Sequence, residues 1–273
     1  MVETFYRIPA LPVFTAVLAD YHNGNPDPIL ASLRQNRPDL IVIAGDLVYG
    51  SRPEGEELIV EKQAGILPLL NGCAVVAPTF LSLGNHDWAL CGEDLARIAG
   101  TGVTVLDNRW EAVTLRRAGD GASVRLLLGG LTSGQVTDYR RRVDALPPYV
   151  KQARRYPVAA LSRWHGKRGH PYKPDGAWLP DFAAQDGYKL LLCHHPEHFR
   201  SVPPSVDLVI SGHAHGGQWR MFHRGLYAPG QGWFPQYTSG VYENRLVVSR
   251  GLTNTVLIPR FHNPPETVYL LPA

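Results

Sequence analysis

Cysteine is scarce: Cys73, Cys91 and Cys193 are the only three in 273 residues, and no two stand in Cys-x-x-Cys spacing. An odd, scattered set disfavours both a disulfide scaffold and a cysteine-rich zinc module. Charge of one sign is also lacking. A formal net charge of +3 is too small to argue for nucleic acid as a partner, so none is expected. No stretch approaches the roughly 18 uncharged apolar residues of a membrane-spanning helix. The first dozen residues have no basic region followed by an apolar run, so no secretory leader is expected. A cytoplasmic location is the resulting expectation, with contact at a membrane surface left open. Repeats and low-complexity tails are absent too, and nothing speaks to oligomeric state.

What is present is an ordinary soluble composition, 44% hydrophobic and 19% charged. With 27 Gly and 23 Pro, many short elements and well-ordered loops are expected. Residues 14–18, 39–44 and 75–83 are apolar runs that read as buried strands. Asn25-Pro26 opens a helix to about residue 35. Residues 53–70, acidic early and apolar at helical spacing, suggest a crossover helix. This opening implies parallel strands with functional loops at their carboxyl ends. Strands over 103–106, 110–115 and 124–128 follow, the last two joined by a hairpin turn at residues 118–121. Five more are expected at 188–193, 206–210, 247–249, 255–258 and 268–271. The whole reads as an α/β chain, a four-layer α-β-β-α sandwich with two mixed sheets. Residues 1–273 are expected to form one domain, with a basic loop and helix excursion at about 135–178.

Five polar stretches stand where apolar runs give out: Asp20-Tyr21-His22, Gly45-Asp46, Gly84-Asn85-His86-Asp87, His194-His195-Pro196 and Gly212 to Gln218. Asp20 and His22 are two apart, so extended backbone would place them on one side. Asp46 carries two oxygens and can bridge two cations, and Asn85 adds a neutral carbonyl. His213 and His215 are again two apart, among glycines that let backbone come close to a metal or a phosphate. Any one stretch alone reads as a turn, and Asp87 as a helix cap. All five together form the donor inventory of a two-metal hydrolase. Mixed imidazole and carboxylate donors favour Zn, Fe or Mn over Mg or Ca. Cys193 precedes His194 on a strand, where alternation sends it to the opposite face, into the core.

In this order the blocks D-x-H, G-D, G-N-H-D, H and G-H-x-H resemble the calcineurin-like metallophosphoesterase superfamily. The tail, from Val248-Ser249-Arg250-Gly251-Leu252 through Pro259-Arg260-Phe261 to Pro264-Pro265-Glu266, resembles its YkuE-like branch of predicted phosphohydrolases. The resemblance implies the metallo-dependent phosphatase fold and two divalent or mixed-valence transition-metal ions (Mn, Fe or Zn). One ion would sit on Asp20, His22, Asp46 and His215. The other would sit on Asp46, Asn85, His194 and His213. It implies hydrolysis of a phosphomonoester or phosphodiester by metal-bound hydroxide, with His86 contacting the phosphate and assisting the leaving group. Asp87 would orient His86 or cap the next helix. Many relatives of the branch carry an N-terminal membrane helix that this sequence lacks.

Three further residues are candidate substrate contacts: Tyr21 between two ligands, His195 beside His194, and Trp233 in the aromatic, glycine-rich loop 229–235. Residues 140–173 hold ten Lys and Arg interleaved with aromatics. They read either as a solvated cover or as a cationic lid recruiting an anionic nucleotide or lipid head group. A non-catalytic scaffold on the same fold is the alternative, though it would not need all seven ligands. A nuclease is a further alternative, but no second nucleic-acid module is visible.

Overall fold

The computed structural model describes residues 1–49, 58–144, 172–222, 224–254 and 259–273. The first half runs β1 (Val2–Ile8), β2 (Thr15–Leu18), α1 (Asp27–Asn36), β3 (Leu40–Ala44), α2 (Ile59–Lys62), α3 (Ile66–Val76) and β4 (Thr79–Ser82). It continues with α4 (Gly92–Gly100), β5 (Thr104–Val105), β6 (Arg109–Arg116), β7 (Ser123–Leu131) and α5 (Gly134–Asp144). Then come α6 (Leu179–Ala184), β8 (Tyr188–Cys193), β9 (Leu208–Ser211), and four two-residue strands, β10 (Arg220–Met221), β11 (Arg224–Gly225), β12 (Tyr227–Ala228) and β13 (Gly232–Trp233). The chain closes with β14 (Gly240–Tyr242), β15 (Leu246–Val248) and β16 (Glu266–Pro272).

Twelve of these strands make two six-stranded sheets, ordered β1-β16-β2-β3-β4-β5 and β14-β15-β9-β8-β7-β6. Both are mixed. The first is antiparallel only at β16–β2, the second at its two outer pairs. Strand alternation sorts their side chains into three apolar layers. Ile41 and Ile43 of β3 face α1 and α3, where Leu33, Leu69 and Leu70 lie. Leu40, Val42 and Ala44 face the second sheet and meet Leu128, Leu190, Leu192 and Ile210. Leu191, Cys193 and Val209 face outward onto Phe182 of α6 and Phe199. Helices, sheet, sheet and helices therefore form an α/β four-layer sandwich, and Cys193 lies in the core as expected.

Register fixes where the loops emerge. Leu18 pairs with Ile43 and Ala44 with Ser82, so β2, β3 and β4 end level. In the second sheet Leu131 pairs with Cys193, Leu192 with Ile210 and Val248 with Ser211. β2, β3 and β4 of the first sheet and β7, β8, β9 and β15 of the second deliver their carboxyl ends to one edge.

Several expectations need correction. In place of one helix over 53–70 there is a short turn, α2, and a separate helix, α3; residues 50–57 lie outside the described residues. The break falls at Gln63–Gly65, where a Cβ on Gly65 would stand 2.5 Å from both Gly24 O and Tyr21 Oη. Only glycine lets that backbone rest on the first loop. Val75 and Val76 end α3 instead of starting β4, and Val75 is 85% exposed. The stop comes at Ala77, extended because it precedes Pro78. β1 was not expected: its residues alternate in exposure at a sheet edge, and its partner β16 is at the far end of the chain. The strand expected at 255–258 and most of the basic segment 140–173 fall outside the described residues; α5 covers the segment's first residues.

Candidate metal centre

The centre is built from loops that tie the two sheets together at this edge. Asp20 N–H donates to Gly45 O (3.1 Å) and His22 N–H to Asp46 O (3.1 Å), joining the first two loops. The Asp20 carboxylate crosses to the other sheet and accepts the His213 N–H at 3.1 and 3.2 Å. The tail closes over it: Leu252 N–H donates to Ala19 O, and Thr253 Oγ1 to Asp20 O, each at 3.0 Å.

Two groups of ligand atoms result, each within 4.8 Å of one another: Asp20, His22 and His215, and Asp46, His194 and His213. Asp46 lies between them, its Oδ2 3.6 Å from His22 Nε2 and 3.1 Å from His194 Nε2. Its Oδ1 accepts the His86 N–H at 2.7 Å. Spacing predicts that Asp20 and His22 converge through extended backbone; they do not, and neither do His213 and His215. Asp20 (φ 52°), His22 (45°), Asp46 (55°), His213 (63°) and His215 (45°) are all left-handed. Such conformations cost about 1–3 kcal/mol each and gather where the surroundings hold a working geometry. Glycines make the room: a Cβ on Gly84 would lie 2.3 Å from Asp46 Oδ1, and one on Gly212 2.6 Å from Asp20 Oδ2.

Protonation suits metal binding. His22 Nδ1 donates to Val48 O (3.1 Å), leaving its Nε2 turned inward as a lone-pair donor, and His194 Nδ1 donates to Ala44 O (2.7 Å), which turns its Nε2 toward Asp46. Burial pushes His22 down to about 4 and holds His213 and His215 below the usual imidazole range. Asp46 is held well below its ordinary value: burial raises it, but the charges of His194, His86 and His22 outweigh that. His194 is the exception. Burial lowers it, yet the adjacent Asp46 raises it to about 10, so a proton there answers the negative charge that a cation would otherwise answer.

The residues fit the ions. His22 Nε2 and Asn85 Oδ1 are buried and have no hydrogen-bond partner, and His194 Nε2 is turned to Asp46 Oδ2 at 3.1 Å. Unpaired buried polar atoms cost roughly 1–3 kcal/mol each, a cost that ligation removes.

His86 is half-buried at the mouth, its ring 4.8 Å edge-on from His22 and 6.3 Å from Tyr49. Asp87 takes up a different task from either one expected. Its carboxylate accepts four backbone N–H groups, from Gly84, Asp46, Leu47 and Val48, at 2.8–3.1 Å, and so locks the second loop to the third. The next helix starts after Cys91, whose N–H is taken by the Asp94 carboxylate in a capping box. Tyr21 does not line the pocket. It is fully buried, because the turns at Asp20 and His22 carry it inward, with its hydroxyl 2.5 Å from Gly24 O and 2.9 Å from Gly65 O. His195 is buried also, its ring 4.0 Å from His213 and its Nε2 3.0 Å from Ser133 Oγ, so it backs a ligand. Trp233 is exposed on β13 against Tyr227. From the same loop, a Cβ on Gly230 would lie 3.5 Å from His213 Nε2, which makes that loop a wall of the centre.

Sequence reasoning passed over two neighbours. Arg260 donates to His215 Nδ1 at 3.0 Å and to Arg250 O at 2.6 Å. Its only signal was its place in the quoted tail. Tyr49, beside His86, carried no motif signal.

Paired His and Asp clusters at the carboxyl edge of a double-sheet sandwich define the class as a metal-dependent phosphoesterase fold. The sequence matches the calcineurin-like phosphoesterase family over residues 15–217, and the chain belongs to that family. It is 26% identical over 266 residues to the uncharacterized metallophosphoesterase YkuE of Bacillus subtilis (strain 168), covering 94% of this chain and 76% of that protein. It is 29% identical over 269 residues to an uncharacterized metallophosphoesterase of Helicobacter pylori (strain ATCC 700392 / 26695), covering 93% of this chain and 58% of that one. Similarity to glycerophosphodiester phosphodiesterase GpdQ of Enterobacter lignolyticus (strain SCF1) is 29% over 204 residues, 72% of this chain and 63% of that protein.

Proposed function

We propose that this chain is a dinuclear-metal-dependent phosphoesterase of the YkuE-like branch, acting on a phosphodiester or phosphomonoester of a nucleotide or a phospholipid-type molecule. One ion is assigned to Asp20, His22, Asp46 and His215, the other to Asp46, Asn85, His194 and His213. The observation that carries this reading is the pair of adjoining clusters, with the buried ligand atoms His22 Nε2 and Asn85 Oδ1 left without partners. Tail similarity and the YkuE match support the branch, and the name of the GpdQ relative favours a diester.

When bound, two such ions polarise the phosphoryl oxygens and make a water nucleophilic near neutral pH. The chain's own residues do the rest. Asp46 sets negative charge between the clusters and is kept there by the His86 N–H. Asp87 holds the loops that carry Asp46 and Asn85 in register. The His86 ring, at the open side, protonates the departing oxygen as general acid. All seven ligands are retained, which disfavours a scaffold that merely borrows the fold.

Protein stripped by chelator and rebuilt with Mn, Fe or Zn tests the reading, with bis(p-nitrophenyl) phosphate and p-nitrophenyl phosphate as probes. Hydrolysis is expected to appear as the second metal equivalent is added. Full activity after stripping, or none with two ions bound, contradicts it.

A further inference from the structure

We propose that the small strands following the fifth motif form a docking surface for an anionic phospholipid bilayer. Phe222 is 91% exposed, Phe234 81% and Trp233 67%, with Trp219, Tyr227 and Phe261 also exposed. These are not scattered. Trp219 pairs with Phe261, β10 with β11 and β12 with β13. Leu226 N–H donates to Trp219 O and Phe234 N–H to Leu226 O, each at 2.8 Å, which joins the pieces into one platform. Contiguous exposed apolar surface of this kind marks an interaction site, and aromatic rings with a polar edge suit the bilayer interface.

Charge selects the occupant. Between Asp207 and Glu243 the sequence holds no acidic residue, while Arg224 stands exposed on β11; Arg220 is engaged by Gly216 O and Thr238 Oγ1. A second copy meeting this face through a two-fold axis would set Arg224 against its own copy, with no acidic residue of this stretch to answer it. An anionic lipid surface supplies both the apolar interior and the negative charge.

The platform is fastened to the metal centre. Leu226 N–H donates to Gly217 O at 3.1 Å, two residues beyond His215, and a Cβ on Gly217 would lie 2.4 Å from Gly225 Cα. Docking therefore holds the centre at the bilayer surface, where a lipid phosphoester is the substrate at hand. That consequence rests on the phosphoesterase reading; the docking itself does not.

Vesicle co-sedimentation separates the two. Wild type is expected to partition onto phosphatidylcholine vesicles containing phosphatidylglycerol, and far less onto phosphatidylcholine alone. Met221→Ser/Phe222→Ser removes two exposed apolar side chains at β10 and should lower partition roughly ten- to a hundredfold. Arg224→Gln should weaken binding to the anionic vesicles only, an effect that salt abolishes. Circular dichroism and hydrolysis of bis(p-nitrophenyl) phosphate by these variants should match wild type. Docking is overturned if wild type stays in solution with both vesicles, or if the double variant binds as wild type does. It is equally overturned if sedimentation shows a dimer that the double variant converts to monomer. In each of these cases hydrolysis of the soluble ester stands unaffected, whereas vesicle binding without any hydrolysis would refute only the phosphoesterase reading.

Discussion

Asp46→Asn is expected to fold, yet to lose its grip on both metal ions. The amide keeps an oxygen to accept the His86 N–H at the Oδ1 position, so the loop has no reason to move. It removes a charge that faces both clusters, 3.6 Å from His22 and 3.1 Å from His194. Even the loss of a residue that merely supports a ligand weakens metal affinity about 10–100-fold, and loss of the shared ligand should reach at least the upper end of that range. Metal analysis after dialysis reads the result. Two retained ions in the variant would rule out a bridging role.

His86→Ala should do the reverse. Its backbone N–H still reaches Asp46, and no ligand is lost, so both ions should stay. Turnover should fall by roughly the 10²–10⁴-fold given by a positioned proton donor. The fall should be steeper for an alkyl ester than for a p-nitrophenyl ester, whose leaving group departs without a proton. Equal losses on both esters would deny His86 the acid role, and metal loss as severe as in Asp46→Asn would make it a ligand.

The strand ends were legible because each is a short, largely buried run stopped by a glycine, an acid or a histidine, and register then does the assembly. Leu18, Ala44 and Cys193 needed no long-range information to be recognised as ends, only to be brought to one edge, and the ends expected at Leu83 and Ile210 fall one residue from Ser82 and Ser211. What stayed hidden depends on contacts between distant segments. β1 is a half-polar edge strand defined by β16, about 260 residues away. The break before α3 exists because Gly65 must rest on Tyr21 and Gly24. Tyr21 looked like a pocket residue by adjacency alone, but left-handed turns on both sides send it into the core. Asp87 looked like a cap, since the four N–H groups that claim it come from two loops about 40 positions apart. In the site itself, residue types were readable and backbone conformation was not: alternation would have converged Asp20 with His22, whereas positive φ does so in fact.

Anomalous X-ray diffraction from crystals of the Mn- or Zn-loaded protein tests the central claim most directly. The account predicts two peaks, one nearest Asp20, His22 and His215, the other nearest Asn85, His194 and His213, with the Asp46 carboxylate between them. A single peak, or a pair that leaves Asp46 or Asn85 out of contact, would contradict it.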